Sequence, residues 1–79
     1  MLNIKVLGTG CSKCLKLENN VKDTIALLGI DAEVEKVTDL NKIMSYGVSM
    51  TPGLVINEKV VSFGRVLSVK DIAELINKG

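Results

Sequence analysis

Cys11 and Cys14, the only two cysteines of this chain, are the residues whose types and spacing could do chemistry. They stand in the stretch GTGCSKC, after an apolar run and before a helical pattern. Thiols three residues apart at a helix start lie on the same side of its first turn, with Cα atoms roughly 5 to 6 Å apart, which a disulfide accepts. This spacing allows three interpretations: a reversible redox pair, a clamp for a soft metal ion, or two small core residues.

The two thiols are expected to differ. Cys11 lies at the predicted start of the helix, where unpaired N–H groups and the positive end of the helix dipole favour the thiolate, and Lys13 adds a positive charge. Cys14 lies on the apolar side of the same helix, so we expect it to be less accessible. The predicted cycle begins when Cys11 attacks a substrate disulfide, and it ends when Cys14 attacks Cys11 and releases the reduced substrate.

Composition limits the class of protein. The chain has 79 residues, 47% of them hydrophobic, which suits one small domain over residues 1–79 with an aliphatic core. A net charge of +1, spread without basic runs, gives no reason to expect nucleic acid or an anionic membrane as partner.

The N-terminal apolar run is brief and interrupted by Lys5, so we expect no signal peptide and a cytoplasmic protein. In a reducing compartment, this cysteine spacing indicates redox or metal chemistry.

The pattern of apolar residues predicts an α/β fold with the order β-α-β-α-β-β-α. Strands are predicted over residues 2–7, 32–37, 54–56 and 60–63, and helices over residues 12–28, over 39–46 and after a capping sequence at 68–71. The long first helix allows the first two strands to be parallel, whereas residues 57–59 predict an antiparallel hairpin between the last two. A four-stranded mixed sheet covered by three helices is the expected architecture.

Apolar spacing also predicts which side chains are buried. The expected buried stripes are Cys14, Leu17, Val21, Ile25 and Leu28 on the first helix, Leu40, Ile43 and Met44 on the second, and Val69, Ile72, Ala73 and Ile76 on the third. Gly29 is expected to end the first helix in a left-handed conformation, and Lys5 is expected to point outward. The charged strand AEVEKV suits a sheet edge.

Two stretches together, GCSKC and the downstream YGVSMTPGLVIN, resemble the thioredoxin superfamily. The resemblance is strongest to its very short single-domain thioredoxin-like or glutaredoxin-like redox-active disulfide proteins, and it covers almost the whole chain. Its anchors are Cys11, Cys14 and Thr51-Pro52, with Gly64 as weaker support. It implies a thioredoxin-like fold in which Pro52 is a cis-proline facing the cysteine pair, with the backbone of Thr51 placed to pair with an extended substrate segment.

The resemblance implies a thiol-disulfide oxidoreductase, acting as a protein disulfide reductase or electron carrier in cell redox homeostasis. Its redox centre is the Cys11–Cys14 disulfide itself, without a further cofactor or metal. Substrate-binding residues are expected to be Thr51, Pro52, Gly10, Ser12 and Lys13. The expected partners are disulfide-containing proteins and an upstream reductase, with a low-molecular-weight thiol as a further candidate, and the chain is expected to act as a monomer. Gly10 and Ser12-Lys13 replace the Trp and Gly-Pro of thioredoxin itself, so the redox potential of thioredoxin cannot be assigned to this chain.

The alternative function is a soft-metal binding module. Heavy-metal-associated domains also carry Cys-x-x-Cys after their first strand, where the thiolates bind an ion such as Cu(I). Their element order ends in a strand, however, and they usually have Met where this chain has Thr9. A structural zinc site requires four ligands, and the chain has no histidine and only these two cysteines. A redox-inactive scaffold with the same fold is a third possibility.

Overall fold

The computed structural model describes residues 2–10 and 12–78. Its elements are β1 (Leu2–Leu7), α1 (Ser12–Leu28), β2 (Ala32–Val37), α2 (Leu40–Ser45), β3 (Gly53–Ile56), β4 (Lys59–Phe63) and α3 (Val69–Lys78). The predicted order is confirmed, and β1, α1 and β2 have the predicted bounds. Helix α2 starts one residue later than predicted because Asp39 is its N-cap, whose carboxylate accepts a hydrogen bond from the N–H of Asn41 at 3.0 Å.

The four strands form one mixed sheet in the order β2-β1-β3-β4. Strand β1 runs parallel to β2 and antiparallel to β3, and β4 runs antiparallel to β3. The parallel pair is joined through α1, as a crossover connection requires. Because β1 is an inner strand, the segment that follows it and carries the cysteines leaves the middle of the sheet rather than an edge.

Side chains alternate along the inner strands between two cores. Ile4 and Val6 of β1 face a core to which α1 and α3 contribute, and Leu7 faces a core to which α2 contributes. The first core contains Ile4, Val6, Leu17, Val21, Leu54, Ile56, Leu67 and Ile72, and the second contains Leu7, Val37, Ile43, Val48 and Val55. The sheet is therefore covered on both faces by an aliphatic core, as the composition predicted.

The buried face of α1 is more polar than predicted. Glu18 and Thr24 are buried, whereas Ile25 and Leu28 are only half-buried. The Glu18 carboxylate lies 3.4 Å from the Lys36 ammonium of β2, and the Thr24 hydroxyl donates to the carbonyl of Asn20 at 2.7 Å. Periodicity does not reveal these positions because polar groups are buried only where such partners exist, and partners such as Lys36 come from distant elements.

The expectation that Lys5 points outward is wrong. Its side chain is 18% exposed, and its ammonium lies 2.6 Å from a carboxylate oxygen of Glu58 and 3.1 Å from the hydroxyl of Tyr46. These hydrogen bonds, the one to Glu58 first, raise the pKa of Lys5 above its ordinary value, and the bond from Lys5 lowers the pKa of Glu58. The Lys5 side chain is held against the protein because Glu58, in the β3–β4 turn, supplies the opposite charge and Tyr46 supplies a hydroxyl.

The turn that holds Glu58 is a two-residue hairpin. Asn57 and Glu58 both have positive φ, at 50° and 66°, which is the pattern of a type I′ turn. Lys59 therefore belongs to β4 rather than to the turn, so the predicted three-residue connection is one residue too long. The side-chain bonds from Lys5 and Tyr46 reach Glu58 in this conformation, which is uncommon for a residue other than glycine.

Helix α2 is turned differently from the prediction. Of the three apolar residues expected on its inner side, only Ile43 is buried, while Leu40 is 60% and Met44 is 68% exposed. Tyr46, which follows the helix, packs with Ile43 on the α2 side of the sheet, and its hydroxyl bonds to Glu58. Since Ile43 and Tyr46 lie one turn apart on the same side, their contact with the sheet leaves Leu40 and Met44 facing away.

Candidate redox site

Cys14 occupies the buried side of the first turns of α1. Only 4% of the residue is exposed, in agreement with its place on the apolar side of the helix. Cys11 lies outside the described residues, so its exposure and its distance from Cys14 stay predictions. The described neighbours of Cys14 nevertheless show what surrounds this thiol.

Gly8 packs directly against the sulfur of Cys14. Gly8 is buried immediately after β1, and its N–H donates to the carbonyl of Val37 at 2.9 Å. A Cβ added to Gly8 would overlap the Sγ atom of Cys14 and lie 3.1 Å from its Cβ. The same position is 4.0 Å from the Cβ of Thr51. The Cys14 sulfur therefore occupies the space that a side chain at position 8 would fill.

The segment that precedes β3 closes the site from the other side. The Thr51–Pro52 peptide bond is cis, as the resemblance implied. Thr51 is half-buried and Pro52 is buried, and the carbonyl of Pro52 accepts a hydrogen bond from the N–H of Gly64 at 2.8 Å. Thr51 is thus near the Gly8 position that contacts Cys14, and the adjoining Pro52 is hydrogen-bonded to Gly64, which follows β4.

The remaining predicted substrate-binding residues occupy exposed positions between β1 and α1 and at the start of α1. Gly10 has a φ of +92°, a conformation that glycine adopts without the steric cost other residues pay. Ser12 is the first residue of α1, and both Ser12 and Lys13 are exposed. These positions leave all three accessible to a partner, and their contact with substrate stays a prediction.

Sequence reasoning gave Gly8 no role at the site. In the sequence, Gly8 is visible only as a glycine that follows the apolar run of β1. A small residue three positions before Cys11, directly after a buried strand, was the available signal. Its contact with Cys14 could not be inferred without the packing of α1 on the sheet.

Neither a metal cluster nor a membrane helix is found in the described parts of the chain. Residues 2–10 and 12–78 contain no group of three or more His, Cys, Asp or Glu side chains that could hold a metal ion. Within the same residues, no helix has both the length and the apolar character needed to cross a membrane.

The element order and the sheet topology define a thioredoxin-like fold, in which the cysteine segment follows the first strand and a cis-proline precedes the third. A family model described as a thioredoxin domain matches residues 2–77. The chain therefore belongs to the thioredoxin family, and this membership makes it a thioredoxin-like redox protein.

Two curated relatives agree with this membership. The chain is 36% identical over 77 residues to a thioredoxin of Methanothermobacter thermautotrophicus, covering 98% of this chain and 100% of the relative. It is 45% identical over 74 residues to a thioredoxin of Methanocaldococcus jannaschii, and the match covers 94% of this chain and 85% of the relative. Both relatives are thioredoxins, and they are matched over at least 85% of their length. Oxidoreductase activity is therefore the general activity indicated for this class of protein.

Solved structures show the same fold at low sequence identity. Thioredoxin-2 of a malaria parasite superposes with a TM-score of 0.74 at 18% identity, covering 100% of this chain and 84% of that one. A second malarial protein superposes with a TM-score of 0.72 at 19% identity, covering 99% and 96%. At these identities the likeness concerns the fold alone.

Proposed function

We propose that the protein is a thiol-disulfide oxidoreductase that reduces disulfides in other proteins by cycling Cys11 and Cys14 between dithiol and disulfide. The observation that carries this proposal is the placement of Cys14, buried on α1 against Gly8 and close to Thr51. A thiol held at this point, three residues after a second cysteine at a helix start, is expected to reach its neighbour without movement of the backbone.

The proposed reaction has two exchanges. The Cys11 thiolate attacks one sulfur of the substrate disulfide, so a Cys11–substrate bond forms and the other substrate sulfur leaves as a thiolate and takes up a proton. Cys14 loses its proton and attacks the Cys11 sulfur, which forms the Cys11–Cys14 bond and releases the second substrate thiolate. Two electrons pass from the protein to the substrate, and an upstream dithiol reductant restores the reduced pair.

Position divides the roles of the two thiols. Cys11 immediately precedes α1, where the helix dipole and unpaired N–H groups favour a thiolate. Cys14 is buried, so an entering substrate is expected to meet Cys11 first, and the spacing of the two cysteines is expected to bring Cys14 within reach of an intramolecular attack. The backbone of Thr51, with Gly10, Ser12 and Lys13, forms the proposed binding surface for the substrate chain around its cysteine. We place the reaction in the cytoplasm and assign it to a monomer.

Reduction of a disulfide-bonded protein tests this proposal. With insulin as substrate and dithiothreitol as donor, the wild-type chain is expected to accelerate reduction, measured as precipitation of the freed B chain. The Cys11→Ser variant is expected to fall to the rate of dithiothreitol alone because it lacks the attacking thiolate. Its thermal unfolding midpoint, compared with wild type, separates loss of chemistry from loss of fold. A folded Cys11→Ser protein that keeps most of the activity would contradict the proposed role of Cys11.

A further inference from the structure

Three polar side chains form a closed hydrogen-bonded network on the α2 side of the sheet. The Lys5 ammonium lies 2.6 Å from one carboxylate oxygen of Glu58, and it donates to the hydroxyl of Tyr46 at 3.1 Å. The Tyr46 hydroxyl donates in turn to the other carboxylate oxygen of Glu58 at 3.2 Å. We call these three side chains the Tyr46 network, and none of the proposed redox chemistry uses it.

The Tyr46 network joins three parts of the chain that are distant in sequence. Lys5 lies within β1, Tyr46 immediately follows α2, and Glu58 lies in the turn between β3 and β4. The Lys5 ammonium also lies 5.8 Å from the centre of the Tyr46 ring, a distance at which a cation attracts an aromatic face. Both the ring and the hydroxyl of Tyr46 therefore fix the end of α2 to the sheet.

Helix α2 has few other attachments to the sheet. It contains only the residues Leu40–Ser45, and Ile43 is the one residue of this helix that is buried. A helix of this length is not stable by itself in water, so its position depends on its contacts with the rest of the protein. Tyr46 packs on the same core as Ile43. Tyr46 therefore contributes much of the attachment that holds α2 in place.

The chain runs directly from Tyr46 to the cis-proline of the redox site. Val48, between them, is 4% exposed and packs in the core on this side of the sheet. At the far end, the carbonyl of Pro52 accepts a hydrogen bond from the N–H of Gly64 at 2.8 Å. Tyr46 and Pro52 thus bound the segment that carries Thr51. A less firmly held Tyr46 would let this segment move at its N-terminal end.

We propose that Tyr46 is a positioning residue for substrate binding, whose hydroxyl, held by Lys5 and Glu58, keeps the backbone of Thr51 in place to pair with a substrate chain. The inference rests on the proposed function and deepens it, because it names residues outside the redox site that prepare its binding surface. They take no part in the exchange of electrons. A surface that is in place for only part of the time binds its partner more weakly by that fraction.

Tyr46→Phe tests the inference, because it removes the hydroxyl and keeps the ring. Reduced protein, freed of dithiothreitol, is mixed with excess insulin at graded concentrations, and its conversion to the disulfide form is followed by alkylation and mass. The half-saturating insulin concentration is expected to rise about fivefold, which is the net worth of one hydrogen bond, while the limiting rate stays within about twofold. Hydroxyethyl disulfide, which has no peptide chain to pair with Thr51, is expected to react within about twofold of the wild-type rate.

Glu58→Gly separates position from stability. This variant removes the carboxylate that accepts from Lys5 and Tyr46. Glycine readily adopts the φ of 66° found at this position, so the turn itself is not weakened. We expect a rise in the half-saturating insulin concentration at least as large as in Tyr46→Phe, with a thermal unfolding midpoint close to that of wild type.

Thr24→Val is the matched control, because it removes a hydroxyl that donates within α1 to the carbonyl of Asn20 at 2.7 Å and has no link to α2. Its half-saturating insulin concentration is expected to equal that of wild type. An unchanged value in both Tyr46→Phe and Glu58→Gly, an equal rise in Thr24→Val, or an equal loss with hydroxyethyl disulfide would overturn the inference while leaving the proposed function intact. Failure of the wild type to reduce either disulfide would overturn the proposed function, and the inference with it.

Discussion

Replacing Cys14 with serine is expected to stop turnover and to leave substrate proteins attached to Cys11. The first exchange requires only the Cys11 thiolate, so the Cys11–substrate disulfide still forms. The second exchange requires a thiolate at position 14. Serine has no sulfur, and its hydroxyl does not attack a disulfide at neutral pH. Incubation with an oxidised protein substrate, followed by non-reducing electrophoresis and mass spectrometry, should show an adduct that dithiothreitol removes.

The reciprocal variant makes this experiment decisive. Cys11→Ser retains only the buried thiol of Cys14, which a protein disulfide cannot approach easily, so little adduct is expected. A Cys14→Ala variant should trap the substrate as Cys14→Ser does, which shows that the trap arises from loss of the thiol and not from the hydroxyl. Equal or greater trapping on Cys14 in the Cys11→Ser protein would reverse the assigned roles.

Replacing Gly8 with alanine is expected to slow the second exchange about tenfold or more, since small displacements of a reacting group can cost even larger factors. The added methyl group would overlap the Sγ atom of Cys14, so the sulfur has to move from its present position. Overpacking of this kind is also expected to lower the free energy of unfolding by about 1 to 3 kcal/mol. Rapid quenching by acid and alkylation should show a larger fraction of the Cys11–substrate disulfide during turnover than in wild type.

Gly53→Ala provides the matched control for the Gly8 variant. A Cβ on Gly53 would lie 3.2 Å from a methyl carbon of Leu7 and 3.4 Å from one of Val48, so it crowds the core without touching a thiol. Its free energy of unfolding is expected to fall by a similar amount, while the mixed disulfide is resolved at the wild-type rate. If both variants resolve the mixed disulfide at the wild-type rate, Gly8 has only a packing role. If both slow it equally, the effect reflects general loss of packing.

The fold was largely predictable because most of its elements are determined locally. The alternating apolar residues of β1 and the stripe through Leu17 and Val21 fixed the bounds of β1 and α1. The orientation of α2 was not predictable in the same way. A six-residue helix carries too few apolar residues to define a unique buried side, and contacts of Tyr46 with Lys5 and Glu58, which are distant in sequence, decide the outcome.

The candidate site was predictable only in part. Two cysteines at this spacing and the Thr51-Pro52 pair are visible in the sequence, and the resemblance joined them. The contact of Gly8 with Cys14 arises from the packing of α1 against the end of β1, and the unexpected exposure of Leu40 and Met44 arises from the way α2 packs on the sheet. Both depend on packing between elements, which the spacing of residues within one element does not report.

The central claim is that Cys11 and Cys14 form a reversible disulfide, and a redox titration tests it most directly. The wild-type chain is equilibrated in buffers of graded reduced-to-oxidised dithiothreitol ratio, quenched with acid and alkylated, and its mass is then measured. The account predicts one transition between a form that takes two alkyl groups and a form that takes none, with a slope of about 29.6 mV per tenfold change in ratio, as a two-electron couple requires. Two alkylated thiols at every ratio would contradict the claim.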